Sequence, residues 1–323
     1  MSTHIEQRVA QTIVGRGARV YARPRPSLWQ RIWKERSAYL FILPAILGYL
    51  IFWAYPVLFA FVASFTRYDN FTISPLPHLL DNYHRALVRD PVVKRAFFNV
   101  LEYTLLTLGI GQSIALTLAL ALNSLRRGVG FYRTLYYIPI VTSIVTVGTI
   151  FRWLFGGDAT SPVNLILKTL TGLGPVRWLW EPLTVIPVIS VVAIWLGLGF
   201  NTIIWMAGLK AIPPEYYEVA TIDGASGWRQ FWSITLPLLK PVIIFQVVMG
   251  VIGGMKEFNL PLVMTGGAFT NQYAMTPVLM IYNYGFARFQ MGYASALAFL
   301  LTLLLISATL IQFRLYGRTE SYE

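Results

Sequence analysis

The chain has 323 residues, of which 56% are hydrophobic and 12% charged. A soluble domain carries about 25% charged residues, so the membrane class leads before any motif is read. The lack of cysteine excludes disulfides and cysteine-ligated metals, and the three histidines (His4, His78, His84) lie outside the apolar runs, so no metal site is expected.

In chain order, the first element is a basic tail, residues 1–37. Within it "SLWQRIWKER" places Leu28, Trp29, Ile32 and Trp33 on one helical face, with Arg31, Lys34 and Arg36 around the rest. That pattern predicts a short helix lying at the membrane surface. Six apolar runs follow, at roughly 38–66, 97–124, 131–155, 185–209, 241–264 and 293–314. Each is near the ~20 residues that a membrane crossing needs. The first is too long for a signal-peptide core and is expected to be retained. The fold class expected is therefore an all-α membrane protein with six transmembrane helices over 38–314 and a short tail, 315–323.

The net charge is +12, but its placement matters more than its size. Arg and Lys gather in the tail, at Arg126, Arg127 and Arg133, at Lys210, Arg229 and Lys240, and at Arg314 and Arg318. These alternate segments are expected in the cytoplasm, with both termini. The segment 67–96 is a mild contradiction, since it also carries Arg67, Arg85, Arg89, Lys94 and Arg95. Basic residues placed this way call for lipid rather than nucleic acid as a partner.

Residues 211–237 form a polar insert between two apolar runs. Pro213 and Pro214 suit a helix start, and Glu215–Ile222 reads as a short helix. Gly224 offers a positive φ to end it, and Ser226 can cap a second helix that runs to Leu236 and Pro237. A passive connector would need no such helix–turn–helix, whereas a module that fits a groove on another protein would.

The insert resembles the EAA loop of bacterial ABC-importer permeases. Glu218, Val219 and Ala220 are followed at the family's spacing by Gly224, then Ile234, Leu236 and Pro237. The sole departure is Val219 for the middle Ala. "DNYHRAL", "GFYRTLYYIPIV" and "VMTGG" are similar to the carbohydrate-uptake branch, and "LPAILGYLIFWAYPVL" and "QFRLYGRTESYE" resemble its maltose- or glycerol-phosphate-type first permease. The resemblance implies a cytoplasmic loop that docks on an ATPase dimer. Glu218 would pair with a basic residue there, Gly224 would make the turn beside Asp223, and Ala220, Ile234, Leu236 and Pro237 would shape the docked helices. It also implies a second homologous permease subunit and an extracytoplasmic solute-binding protein. The chain has no GxxxxGK[ST] phosphate loop, so ATP and Mg are expected in the partner ATPase and no cofactor in this chain. It is expected to be a transport subunit of the bacterial or archaeal cytoplasmic membrane, not an enzyme.

Ionisable residues inside spans mark pathways. Lys256 and Glu257 fall inside the fifth run, where Met249, Gly253 and Lys256 share a face bordered by Ile252. Gly253 and Gly254 leave room for a ligand or a close helix. In the fourth run Ala193, Leu196, Gly197 and Phe200 share a face, and Phe200 could stack on a sugar. Glu257 could instead pair with the second permease. Glu102 and Arg152 are expected to snorkel to the interface, with Trp178 and Trp180 in an aromatic belt. An ion-coupled transporter using Glu102, Lys256 and Glu257 is the second reading, weakened by the lack of duplicated halves.

Overall fold

The structure is a computed structural model that describes residues 36–125, 128–267 and 271–316. The surface helix expected around Leu28–Trp33, the basic residues Arg126 and Arg127, and residues 317–323 lie outside these.

The chain divides into two compact units, residues 1–57 and 58–323. In the first, Arg36–Ala54 is helical and has no buried residue. It belongs to α1, Arg36–Ser64, a 29-residue apolar helix.

The second unit opens with a hairpin that the sequence did not announce. β1 (Thr66–Asp69) pairs antiparallel with β2 (Thr72–Pro75). The turn residues Asn70 and Phe71 both have positive φ, 46° and 69°, as a two-residue hairpin loop needs. Such loops usually advertise themselves with Gly. Here Asn70 tolerates the conformation, its N–H donates to the Phe289 carbonyl (3.1 Å), and the Phe71 ring meets that of Phe289.

α2, Pro91–Ser124, starts six residues before the expected position. Asp90 caps it by accepting the Val92 N–H at 3.0 Å, and Pro91 fills the first helical position. The third apolar run is not one helix. α3 (Val129–Val141) and α4 (Ile144–Leu154) meet at 90° because Thr142 and Ser143 are extended, starting three residues after Pro139. α5 (Pro162–Thr171) follows, then α6 (Val185–Lys210), as expected. α7 (Glu215–Ile222) and α8 (Gly227–Leu238) make the insert, and α9 (Lys240–Met255) leaves α8 at 65°. α10 (Asn259–Thr265), α11 (Pro277–Tyr282) and α12 (Met291–Tyr316) complete the described chain. The fifth run therefore also differs from the expectation. Its helix ends at Met255, after the poor helix formers Gly253 and Gly254, and Lys256 and Glu257 sit at a break in the run rather than within one continuous helix.

Among the described residues four helices, α1, α2, α6 and α12, are long and apolar enough to cross a membrane, or six if each bent pair is one crossing. α6 is the central post. One half packs Val185, Ile186, Ile189 and Val192 against Tyr103, Val147, Leu260 and Met264. The other half packs Trp205, Met206 and Leu209 against Ala115, Ala119 and Leu122 of α2. The two alanines, one turn apart and wholly buried, let α2 and α6 approach closely, as small residues do between membrane helices. Gly199 does the same for α3, since a Cβ there would lie 2.5 Å from the Tyr136 carbonyl oxygen.

Trp178, expected in an aromatic belt, also has a packing role. It is half-buried, its indole N–H donates to Asn164 Oδ1 at 2.8 Å, and its ring meets Phe155 edge-on.

Candidate functional site

A cavity of about 390 Å³ lies between α2, α6 and α9. Glycines on α9 shape it. A Cβ at Gly250 would run into the Leu108 side chain, and one at Gly254 would lie 2.6 Å from Thr104 Oγ1, so these two glycines set α9 tightly on α2. Gly253 has nothing within 4 Å of an added Cβ and opens on the cavity. The two roles weighed for the glycine pair are thus divided between its members.

Phe200 of α6 and Phe245 and Met249 of α9 supply apolar wall. Phe200 and Met249 are each 52% exposed. Polar wall comes from residues that the sequence reading passed over: Tyr103, Thr107, Gln112, Asn201 and Gln246. Gln112 Oε1 accepts the Trp205 indole N–H at 2.9 Å, and buried Gln246 donates to the Asn201 carbonyl at 3.4 Å. Their signal was a polar side chain recurring inside apolar runs. It was obscured on α2 by a π turn over Thr107–Gly111, whose wider winding carries Gln112 round to the wall that Thr107 lines.

Glu257 reaches the cavity from the break after α9. Its Oε1 accepts the Leu260 N–H at 3.0 Å, its Oε2 accepts the Tyr103 hydroxyl at 3.3 Å, and its carbonyl accepts the Thr276 hydroxyl at 2.8 Å. The carboxylate therefore caps α10, where negative charge is favoured by the unpaired N–H groups and the helix dipole. That accounts for a carboxylate here without a basic partner.

Six of the residues named from sequence, Ala193, Phe200, Met249, Gly253, Gly254 and Glu257, line this cavity. The other four do not. Lys256 is exposed at the C-cap of α9, and Ile252 is half-buried. Leu196 packs on the Val185–Val192 cluster, and Gly197 lies beside Asn201. None of the described lining residues is basic. Arg152, in the last turn of α4, is exposed and its guanidinium lies against Gly266, where an added Cβ would be 2.7 Å from Nη2.

The insert is a second candidate site. α7 ends in a Schellman turn: Ala225 N–H donates to the Ala220 carbonyl at 2.8 Å, Gly224 N–H donates to that of Thr221 at 3.0 Å, and Gly224 has φ +77°. Ser226 caps α8 by accepting the Arg229 N–H at 3.4 Å. Gln230 staples the two helices by donating to Thr221 Oγ1 and the Ala225 carbonyl, each at 3.1 Å. Tyr217 turns inward onto the α2–α6 core and bonds Thr235 at 3.0 Å.

The outward face is unusually apolar. Ile222 is 85% exposed and Trp228 72%, with Tyr216, Val219 and Trp232 also exposed. Glu218, Asp223 and Pro237 are exposed among them, whereas Ala220, Ile234 and Leu236 are half-buried. A folded, stapled pair of helices that bares isoleucine and tryptophan has the character of an interface awaiting a partner.

A family model described as "Binding-protein-dependent transport system inner membrane component" matches residues 111–321. The chain is 34% identical to the arabinooligosaccharides transport system permease protein AraP of Bacillus subtilis, over 88% of this chain and 90% of the relative. It is 30% identical to the sn-glycerol-3-phosphate transport system permease protein UgpA of Agrobacterium fabrum, over 88% and 96%. It is 33% identical to the trehalose/maltose transport system permease protein MalF of Thermococcus litoralis, over 86% and 92%. Among solved structures, a chain of a bacterial ABC transporter involved in the import of the acidic polysaccharide alginate is 25% identical. It superposes with a TM-score of 0.77 over 92% of this chain and 100% of that one.

Proposed function

The chain belongs to the family of binding-protein-dependent transport system inner membrane components, as a permease subunit of an ABC importer, and we propose that it carries a neutral carbohydrate or polyol inward. The observation that carries the substrate class is the cavity wall. Phe200 and Phe245 offer rings to the C–H faces of a sugar. Gln112, Asn201, Gln246, Thr107 and Tyr103 offer amides and hydroxyls to its OH groups. A wall that holds the Glu257 carboxylate and no basic side chain disfavours an anionic solute. Relatives are named for arabinooligosaccharides and trehalose or maltose, but also for sn-glycerol-3-phosphate and the acidic alginate, so the neutral class rests on the cavity wall alone.

In this reading the permease domain spans 38–314 with six crossings, each bent pair counting as one. Both termini and the 211–237 loop face the cytoplasm, in accord with the basic residues beside them. The outward face of α7 and α8 docks on a dimeric ATPase, which binds ATP and Mg. A second homologous permease closes the open side of the cavity, and an extracytoplasmic solute-binding protein delivers the sugar. ATP binding closes the ATPase dimer, the motion enters through the Glu218–Pro237 module, and α6 and α9 tilt to open the cavity outward. Hydrolysis resets them.

The test is uptake of labelled oligosaccharides by the assembled complex. Uptake that follows ATP and survives collapse of the ion gradients supports the proposal. Uptake by this chain alone, driven by a proton or sodium gradient, would overturn it.

A further inference from the structure

The apolar stripe of α5 faces away from the protein, the reverse of a helix packed on a core. Asn164, 2% exposed, is the inward residue. Its Nδ2 donates to the carbonyls of Gly156, Asp158 and Val176 at 3.1, 3.0 and 3.0 Å. Its Oδ1 accepts from the Val176 N–H at 3.0 Å and the Trp178 indole at 2.8 Å. The polar side of α5 is thereby clamped to its own loop. On the opposite side Leu165, Ile166 and Leu170 are 49%, 60% and 79% exposed, and Leu173, just past the helix end, is 59%. Residues 165, 166 and 170 fall within about 140° of one another on a helix; Thr169 lies among them with its hydroxyl satisfied by the Leu165 carbonyl at 2.8 Å, while Lys168 and Thr171 lie off the stripe.

We propose that α5 lies flat in the extracytoplasmic membrane interface, with this leucine–isoleucine stripe seated on the lipid acyl boundary. The occupant is argued from the neighbours. α5 connects α4 to α6, and both run into the membrane, so the 155–184 connection leaves and re-enters the bilayer at one surface. Trp153, in the last turn of α4, is 66% exposed. Trp180, five residues before α6, is 39% exposed, with the Arg177 guanidinium 5.9 Å from its ring. Exposed Trp beside Arg marks headgroup depth. Lys168, at the edge of the stripe, can lift its ammonium to the phosphates while its stem lies along the apolar face. A docked protein would be expected to draw on aromatic or arginine anchors within the stripe, and the stripe has none. Held at this depth, α5 anchors the outer end of α6, the helix that bears Phe200.

This inference rests on α4 and α6 crossing the membrane as proposed above. It does not depend on which solute is carried. The chain has no cysteine of its own, so a single introduced cysteine, nitroxide-labelled before assembly with the other subunits, reports without background. The experiment places it in turn at Ile166, Leu170 and Leu173, and at Lys168 and Thr171, in the assembled transporter reconstituted in phosphatidylethanolamine–phosphatidylglycerol vesicles. All five positions are at the surface, so the labels displace no core. Collision with oxygen should exceed collision with a water-soluble nickel chelate several-fold at 166, 170 and 173. The order should reverse at 168 and 171. Equal access to nickel at all five overturns the proposal, and so does shielding from both reagents at 166 and 170, the mark of a protein partner. A label at Val191, 56% exposed on α6, separates the two readings: nickel access there would sink the membrane topology itself.

Discussion

Tyr103 donates its hydroxyl to the Glu257 carboxylate across 3.3 Å, joining α2 to the break between α9 and α10. The same carboxylate caps Leu260. Glu257 thus shapes the cavity wall before it meets any solute. Glu257→Gln keeps an acceptor for the cap and should leave thermal stability within about 0.5 kcal/mol. Glu257→Ala removes the cap and should cost about 1 kcal/mol or somewhat more. Melting of the purified complex separates the two variants. Uptake should fall in both, since each changes the wall. Equal stability of all three proteins would show that the cap contributes nothing.

Phe200 is half bare on α6, so it adds to the cavity more than to the core. Phe200→Ala should cut sugar-stimulated uptake at least fivefold, an energy of about 1 kcal/mol, in the range expected of a ring stacked on its ligand. Phe200→Tyr and Phe200→Trp keep a ring face and should retain most of the rate. If Ala, Tyr and Trp variants lose activity equally, the ring face is not what matters.

Gly224 needs its missing side chain for backbone reasons alone. A Cβ there meets nothing within 4 Å, but φ is +77°. Gly224→Asp should therefore insert and fold, at a local cost of roughly 1–2 kcal/mol, and abolish uptake by displacing the turn. Gly224→Asn, which tolerates this conformation better, should keep partial uptake. Normal uptake by the Asp variant would remove the insert from the coupling path.

Ile222, 85% exposed, makes no core contact to lose. Ile222→Asp should leave the permease's own stability within about 0.5 kcal/mol while weakening ATPase association tenfold or more. Co-purification with a tagged ATPase measures this. Undiminished association would place the docking face elsewhere.

Away from both sites, Asp90 Oδ2 accepts the hydroxyls of Tyr284 and Tyr293, each at 2.9 Å. Burial, and then the bond to Asp90, push the Tyr284 phenol above its ordinary value near 10. A raised phenol pKa means that the folded state holds the proton more tightly. Its contribution is whole below the unfolded value near 10 and is lost only as pH rises through the folded one. Tyr284→Phe should thus cost about 1–3 kcal/mol, and the cost should be flat from about pH 5 to pH 9. A cost that changes within that window would mean another group titrates here.

The long apolar runs made four of the helices legible, because a membrane crossing leaves little freedom in length or charge. The insert was legible because Gly224, Ser226 and Pro237 each have a local backbone reason for their place. What escaped the sequence was set by tertiary contact. The Asn70–Phe71 turn is held by Phe289, more than two hundred residues away. The break at Lys256 follows from the adjacent poor helix formers Gly253 and Gly254, the second packed on α2, and from a carboxylate that caps the next helix. Lys256, the most conspicuous charge in the run, is exposed at the end of α9 and absent from this cavity's wall, while unremarkable Gln112 and Asn201 face the cavity. A polar residue's side of a helix depends on the winding before it, and the π turn at Thr107–Gly111 changes that winding.

The most direct test is reconstitution in proteoliposomes of this chain with the second permease, the ATPase and the solute-binding protein. Uptake of a labelled neutral oligosaccharide is then followed with and without internal ATP. The account predicts uptake only with ATP and binding protein present, unaffected by ionophores, and lost in Gly224→Asp with the complex intact. Uptake without ATP that collapses with the ion gradient would contradict it.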